Sequence, residues 1–435
     1  MGRIEKTAFL SYRRTNAPWA LAIFQDLTHH GYDVFFDFNG IPTGDFKEII
    51  VENIRERAHF LLLLTPSALE RCGEPGDLFR REIETALGVK RNIVPLMLEG
   101  FSFDTKTIAS QLTGELSVLR NYNALNVSVE FFPEAMERLR TRYLNVALEA
   151  VLHPATSTAV RIAKEEQAAA AAAPAVTKQE LTAQKWFERG VNATDPDEKL
   201  RCYGEAICLN PNDFAAFNNR GTVRNAIGDQ EGAIQDYDAA IGLKPDYSAA
   251  FNNRGVARRS QGDLKGAIRD FDDAIRLKPD YAEAYYNRGH ARRNQGDLEG
   301  ARKDFDDAIR LRPDFAFAFN HRGILRYDEG DPEGARKDYN DAIRLKPGYA
   351  NAYFNRGNLC RDEGDLDGAL KDYNETIRLK PDYADAYYNR ALVWQEKNNP
   401  TAAIADLQKY LDLGGGERDG DTEEVEEMID DLQKL

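Results

Sequence analysis

A proline recurs every 34 residues, at Pro211, Pro245, Pro279, Pro313, Pro347 and Pro381. A glycine keeps the same beat at Gly221, Gly255, Gly289, Gly323 and Gly357, with Ala391 in the sixth place. No other feature constrains the fold so tightly. A period of this length is one supersecondary unit that cannot bury its apolar face alone, so neighbouring units must stack. Each unit reads roughly YxNRGxxxxxxGDxxGAIxDYDxAIxLKP. The spacing predicts two helices, a Gly-Asp turn between them and a proline that stops the second. An irregular unit at 181–211 precedes six regular ones. The tail GGGERDGDTEEVEEMIDDLQKL reads as a polar capping helix, which a stacked array needs at its end.

Charge follows the same register. Arg220, Arg254, Arg288, Arg322, Arg356 and Arg390 each precede an aspartate by 16 residues: Asp236, Asp270, Asp304, Asp338, Asp372 and Asp406. The expectation is a pair joining the two helices of one unit. The alternative is an arginine row that binds phosphate or carboxylate. Asn218, Asn252, Tyr286, Asn320, Phe354 and Tyr388 fall where a concave face is expected, and a polar-aromatic row suits an extended peptide or another protein.

Ahead of the repeats the pattern changes. Apolar strand-like runs at 6–12, 32–38, 59–65 and 92–99 alternate with helical spacing at 17–30, 46–57 and from Asp77 onward. A further strand near Leu116–Leu119 and a helix around 131–151 complete the alternation. Such alternation predicts a parallel sheet with helices on both faces, and ligands then bind outside the carboxyl ends of the strands. Topology therefore gathers Ser11, Tyr12, Arg13, Arg14, Asp37, Gly44, Ser67 and the first turns of the helix carrying Glu82 at one edge. Between the halves, residues 154–178 are alanine-rich and read as a flexible or semi-helical tether.

Several classes of function are excluded. A net charge of −15 argues against a general nucleic-acid binder. No GxGxxG follows the first strand and no GxxxxGK[ST] occurs. His29, His30 and His59 are too scattered for a metal site, and neither Ser67 nor Cys72 has the context of a nucleophile. Four cysteines without CxxC spacing fit a reducing cytoplasm. The amino terminus lacks an apolar signal core, Lys6 departs from the myristoylation pattern, and the run Phe60–Leu64 is too short to span a bilayer. The expectation is a cytoplasmic protein with no membrane partner.

FLSYRR at the first strand, VFFD at the second, the IPTGD loop entering a helix, and FLLLLTPSAL resemble a TIR domain. The period with its Gly, Ala and Pro positions resembles the tetratricopeptide (TPR) repeat. The resemblance implies a flavodoxin-like α/β TIR domain over 1–152, a linker over 153–178, an all-α TPR superhelical solenoid over 179–413 and a capping tail over 414–435. The Lys/Asn set with which TPRs clamp a carboxylate terminus is absent, so the ligand of the array stays open. TIR domains often read W-C-x-x-E in the third helix. Here Leu78, Phe79, Arg80, Arg81 and Glu82 match, with the Trp-Cys replaced and the Glu kept.

Many TIR domains cleave NAD+ at the nicotinamide–ribose bond, and the resemblance makes Glu82 the catalytic residue. NAD+ is the substrate and no cofactor is implied. Nicotinamide in NAD+ is already cationic, so it leaves without a general acid. A fixed carboxylate holds the ribose hydroxyls and stabilises the oxocarbenium-like transition state. Ser11, Tyr12, Arg13, Asp37, Ser67 and Phe79 are the substrate-binding candidates. Tyr12 or Phe79 would stack on a ring, and Arg13 or Arg14 would pair with the pyrophosphate. Glu84 lies on a different helix face and is not a second catalytic carboxylate. The IPTGD loop resembles the one through which TIR domains touch each other, which implies a homo-oligomer. Family analogy suggests a defence or signalling effector switched by the repeats. The alternative is a non-catalytic scaffold built of two interaction modules.

Overall fold

A computed structural model describes residues 5–38, 46–72, 76–98, 100–146 and 152–434. The chain divides into two compact units, Met1–Lys244 and Pro245–Leu435. The IPTGD loop and Gly44 lie outside the described residues.

The first unit opens with a five-stranded parallel sheet: β1 (Thr7–Ser11), β2 (Asp33–Phe35), β3 (His59–Leu64), β4 (Asn92–Leu98) and β5 (Leu125–Val127). Its order is β2-β1-β3-β4-β5. β1 therefore has β2 on one side and β3 on the other, and this reversal of direction opens a crevice at the carboxyl ends. β3 is buried at every residue, as a central strand covered on both faces must be. Leu61 and Leu63 face a core closed by α1 (Ala17–His29) and α5 (Phe132–Arg138). Phe60, Leu62 and Leu64 face a second core closed by α2 (Phe46–Glu56) and α3 (Leu78–Gly88).

Three expectations are corrected. Leu116 and Leu119 lie in a 3₁₀ helix, Gly114–Asn121, not in a strand. Two apolar residues three apart share one face of a three-residue turn, where a strand would alternate them. Of the helix expected over 131–151, the described part is α5, running on into a wide π turn at Leu139–Tyr143, and 147–151 lie outside the described residues. The expected tether is instead α6 (Ser157–Ala172), a helix of 16 residues packed on the sheet. Its alanines are the reason. Ala159 and Ala163 join one core and Ala170 the other, and side chains this small let the helix backbone approach closely. Gln167 donates to the Val34 carbonyl (2.9 Å), and Glu166 accepts from the Phe38 amide (2.8 Å). Both satisfy backbone groups at the open edge of β2. α4 (Lys106–Gln111) lies in the β4–β5 connection. The unit ends in four helices: α7 (Lys178–Asn192), α8 (Pro196–Leu209), α9 (Phe214–Ala226) and α10 (Gln230–Leu243).

The second unit is helix pairs throughout. α11 (Ser248–Ser260) and α12 (Leu264–Leu277) form the first pair, α13 (Ala282–Gln295) and α14 (Leu298–Leu311) the next. α15 (Ala316–Asp328) with α16 (Pro332–Leu345), α17 (Ala350–Asp362) with α18 (Leu366–Leu379), and α19 (Ala384–Glu396) with α20 (Pro400–Asp412) follow. Each periodic glycine receives the aromatic ring of its partner helix. A Cβ on Gly255 would stand 2.6 Å from the Phe271 ring, so only glycine permits that approach. The inter-helix turn needs glycine for a different reason: Gly262 has φ +84°, and the next residue, Asp263, caps α12 by accepting from the Gly266 amide. α21 (Gly415–Asp419) and α22 (Thr422–Gln433) close the end, with Val425 and Ile429 packed beside Leu407 and Tyr410.

The charge register is a structural device. All six arginines grip their aspartates two-pronged, as in Arg322, whose Nε and Nη2 donate to Asp338 at 2.8 and 2.6 Å. The expected concave row is largely consumed by packing. Asn252 and Asn320 are buried and accept from Asn287 and Asn355, one repeat on. Tyr286 packs on Phe315, Phe354 on Tyr383 and Tyr388 on Tyr410.

Candidate active site

At the crevice the end of β1 supplies Ser11, Tyr12, Arg13 and Arg14 in succession. Helix α3 starts at an N-cap, Asp77, which accepts from the Arg80 amide (2.9 Å) and fixes the first turn. Glu82 follows in the second turn and points back at β1. Ser11 Oγ donates to Glu82 Oε2 at 2.5 Å. The two belong to elements 71 residues apart, and the sheet order alone brings them together.

Around that contact is a cavity of about 170 Å3, lined among others by Tyr12, Arg13, Arg14, Asp37, Phe79 and Glu82. Five of the seven site candidates thus share one wall, and Ser11 reaches it through Glu82. Ser67 is the exception. Its hydroxyl donates to Glu188 of α7 at 2.8 Å, and it is not among the lining residues.

The arginines divide the work differently from expectation. Arg13 is a strut: its Nε donates to the Ala68 carbonyl (2.8 Å) and its two terminal nitrogens to Asp77 (2.7 and 3.1 Å). Its guanidinium also stacks on the Phe79 ring, 4.7 Å from the centroid. These donors are spent on α3 and on the loop after β3. Arg14 is more open, with its side chain 54% exposed, and donates to Asp37 Oδ2 (2.5 Å) and the Phe38 carbonyl (3.2 Å). Asp77 ties the segment after β1 to the start of α3, accepting from both Arg13 and the Arg80 amide. An aspartate just before a helical run was the available signal. Glu84 is engaged with Arg80 (2.7 Å) on the outer face, as its register required.

The electrostatics single out one group. Glu82 is enclosed by protein apart from the cavity mouth, and burial pushes its carboxyl up to about 8. The Ser11 hydrogen bond opposes that shift, and the negative charge of Asp37 adds to it. Burial works against the ionisation of Asp77 too, but the hydrogen bonds from Arg13 and the Arg80 amide prevail and hold it below the usual range. Burial lifts the Tyr12 hydroxyl far above ionisation, leaving it a donor to the Asp37 carbonyl (2.7 Å). The Cys72 thiol is pushed up to about 12 by burial, which disfavours the thiolate that a nucleophile needs. Among the described residues no cluster of three or more His, Cys, Asp or Glu is placed to hold a metal, and no helix is long and apolar enough to cross a membrane.

A parallel sheet of order 2-1-3-4-5 with a carboxylate at its switch point defines a flavodoxin-like α/β domain. Residues 8–140 match the TIR domain family. Residues 257–296, 324–360 and 357–398 match the TPR repeat, and 282–315 match the tetratricopeptide repeat again. The chain therefore joins an amino-terminal TIR domain to carboxy-terminal TPR repeats. It is 30% identical over 121 residues to the NAD(+) hydrolase tir-1 of Caenorhabditis elegans, which covers 27% of this chain and 12% of that protein. It is 30% identical over 135 residues to the NAD(+) hydrolase SARM1 of Danio rerio, covering 30% of this chain and 18% of that one. The matched stretch is thus less than a fifth of either relative. Among solved structures, the APC/C hetero-tetramer Cut9-Hcn1 is similar with a TM-score of 0.48 at 17% identity, covering 59% of this chain and 52% of that one.

Proposed function

We propose that the TIR domain hydrolyses NAD+ at the nicotinamide–ribose bond, releasing nicotinamide and ADP-ribose with one proton. Capture of the ribosyl carbon by an adenine nitrogen in place of water would give the cyclic product. The observation that carries this reading is Glu82: a half-buried carboxyl of raised pKa, hydrogen-bonded to Ser11, facing a cavity at the switch point of the sheet. The match of residues 8–140 to the TIR domain family and the 30% identity to named NAD(+) hydrolases support it.

The cavity is smaller than the roughly 300–1,000 Å3 of a pocket that engulfs a whole drug-sized ligand. Its volume suits the reacting nicotinamide–ribose end, with the rest of the dinucleotide outside. Tyr12, half-buried at the cavity, offers a ring to a planar heterocycle, while Phe79 is 3% exposed and carries the Arg13 guanidinium on its ring. Arg13 and Arg14 both line the cavity, and the more exposed Arg14 would exchange its Asp37 contact for the pyrophosphate. As the C–N bond breaks, positive charge moves from the pyridinium onto the ribose. A carboxylate held in a dry site stabilises that charge far better than water does. Free Glu82 is largely protonated at neutral pH, and arrival of the cationic substrate favours its ionised form. The proton leaves to solvent, and none is needed by the departing nicotinamide.

The repeats act in this proposal as the partner-binding and assembly half of a cytoplasmic defence or signalling effector, taking a protein or peptide ligand and bringing TIR domains together. The decisive assay follows free nicotinamide from the full chain and NAD+, with and without a crowding agent. Turnover that vanishes in Glu82→Ala, with helicity retained by circular dichroism, supports the enzyme. Silence in every assembly state favours the non-catalytic scaffold.

A further inference from the structure

The segments after β1 and β2 line the cavity, and the segment after β3 holds Arg13 through the Ala68 carbonyl. Each is gripped by one side chain from the helices that lead into the repeats. After β1, Gln184 of α7 donates to the Thr15 carbonyl (2.6 Å) and to Asn16 Oδ1 (3.3 Å). After β2, Glu166 of α6 accepts from the Phe38 amide, next to Asp37. After β3, Glu188 of α7 accepts from Ser67 Oγ. The first and third grips are one network, because Asn16 Nδ2 donates to Thr65 Oγ1 (3.1 Å), Thr65 lies 3.4 Å from Ser67, and Gln184 reaches Glu188 (3.5 Å). Asn16, Thr65, Glu166, Gln184 and Glu188 are all buried. The passage between the helices is pinned as well: Gln25 of α1 donates to the Pro174 carbonyl (2.9 Å) and accepts from the Val176 amide (3.1 Å).

We propose that Glu166, Gln184 and Glu188 are positioning residues for the cleft: Glu166 on α6 sets the segment that carries Asp37, and Gln184 with Glu188 on α7 sets the segment that carries Arg13 and Arg14 and the one that holds Arg13. None of the three touches the cavity. A fully satisfied buried polar network specifies one arrangement of the groups it joins, and a half-satisfied one is costly. Moving α7 against the sheet breaks hydrogen bonds on two of the loops at once. The geometry of the cleft then depends on where the repeats hold α7. This inference rests on the hydrolase reading for its catalytic consequence, but not for its mechanical one.

The test separates the two. Hydrogen exchange on the full chain is compared for wild type, Glu166→Ala, Glu166→Gln, the pair Gln184→Ala with Glu188→Ala, and Glu188→Gln. Glu166 is the acceptor for the Phe38 amide, so Glu166→Ala should speed its exchange at least tenfold, while Glu166→Gln keeps an acceptor and preserves protection. The alanine pair should speed exchange at the Asn16 and Ala68 amides and leave α9–α20 unchanged, which shows that the chain is folded. Nicotinamide release should fall at least tenfold in kcat for the alanine variants and recover in the glutamine ones. Unaltered exchange overturns the positioning role, whether or not the protein turns over NAD+. Faster exchange with unaltered kcat overturns it too. If wild type shows no turnover, the exchange result still decides the mechanical claim, and the hydrolase reading alone falls.

Discussion

Glu82 is asked for two opposed properties. Catalysis needs its anion, and the fold favours its acid. For the free enzyme, kcat/KM for nicotinamide release should rise with pH through an apparent pKa near the raised value of about 8. The kcat profile should turn at lower pH, because the bound pyridinium stabilises the anion. Glu82→Gln keeps the Ser11 contact but never ionises, and it should cost about 10²–10³ in kcat, the usual loss for one well-placed electrostatic group. The same substitution should raise Tm at pH 8, since it removes a desolvated charge. A Tm unchanged at pH 8 would show that the site is wetter than its packing implies. Glu82 was legible in the sequence because its register in α3 follows from helical spacing and the family motif. Its pKa was not, because burial is set by residues on β1, α2 and the loop after β2. Arg13 shows the same limit: an arginine after a strand reads as a ligand for phosphate, and only the structure shows it already held by Asp77.

At the scale of elements, α6 and the repeat pairs carry the energetics. Asp338 is fully buried between Arg322 and Arg326. Asp338→Ala takes the shared acceptor from both guanidinium groups, leaving Arg322 on Asp306 and Arg326 on the Gly334 carbonyl, and should cost about 1–3 kcal/mol in local stability, read as lost exchange protection in α15 and α16. Replacing Arg322 and Asp338 together with apolar residues of similar volume should cost far less, because the pair's desolvation penalty disappears with it. In α6, Ala159 is fully buried. Ala159→Leu should overpack the core and destabilise the first unit by about 1–3 kcal/mol, measured by urea denaturation. A free tether would tolerate leucine at that position without loss. The repeat pairs were readable because helix period, Gly-Asp turn and closing proline are local signals. α6 was misread because its packing face is alanine, which carries almost no hydrophobic pattern. Ser67 was misplaced for a related reason: its partner, Glu188, is 121 residues away.

For the molecule as a whole, two desolvated carboxyls, the half-buried Glu82 and the buried Glu188, tie pH to stability. Burial raises Glu82 to about 8 and Glu188 to about 7, against roughly 4.3 for an unfolded glutamate. The folded state therefore binds more protons than the unfolded state over this interval, and stability must fall as pH rises. The contribution is complete below about pH 4 and is lost progressively as pH climbs through 7 and 8. Melting of the first unit between pH 5 and 9 should show the decline, and Glu82→Gln with Glu188→Gln should flatten it. A slope of opposite sign would mean that the carboxylates are ionised in the resting state.

The sequence by itself determined the two architectures. A 34-residue period admits little but stacked helix pairs, and alternating apolar runs and helical spacing admit little but a covered parallel sheet. It also placed Glu82 in α3 and the β1, β2 and β3 loops at one edge, because strand direction fixes which ends meet. Tertiary structure alone decided what those residues do to one another. It spent Arg13 on Asp77, paired the exposed Arg14 with Asp37, drew Ser67 to α7 and lifted the Glu82 pKa. Each of these depends on burial and on partners distant in sequence. It also turned an alanine-rich stretch into a packed helix, because close approach of small side chains is a property of the surface they meet.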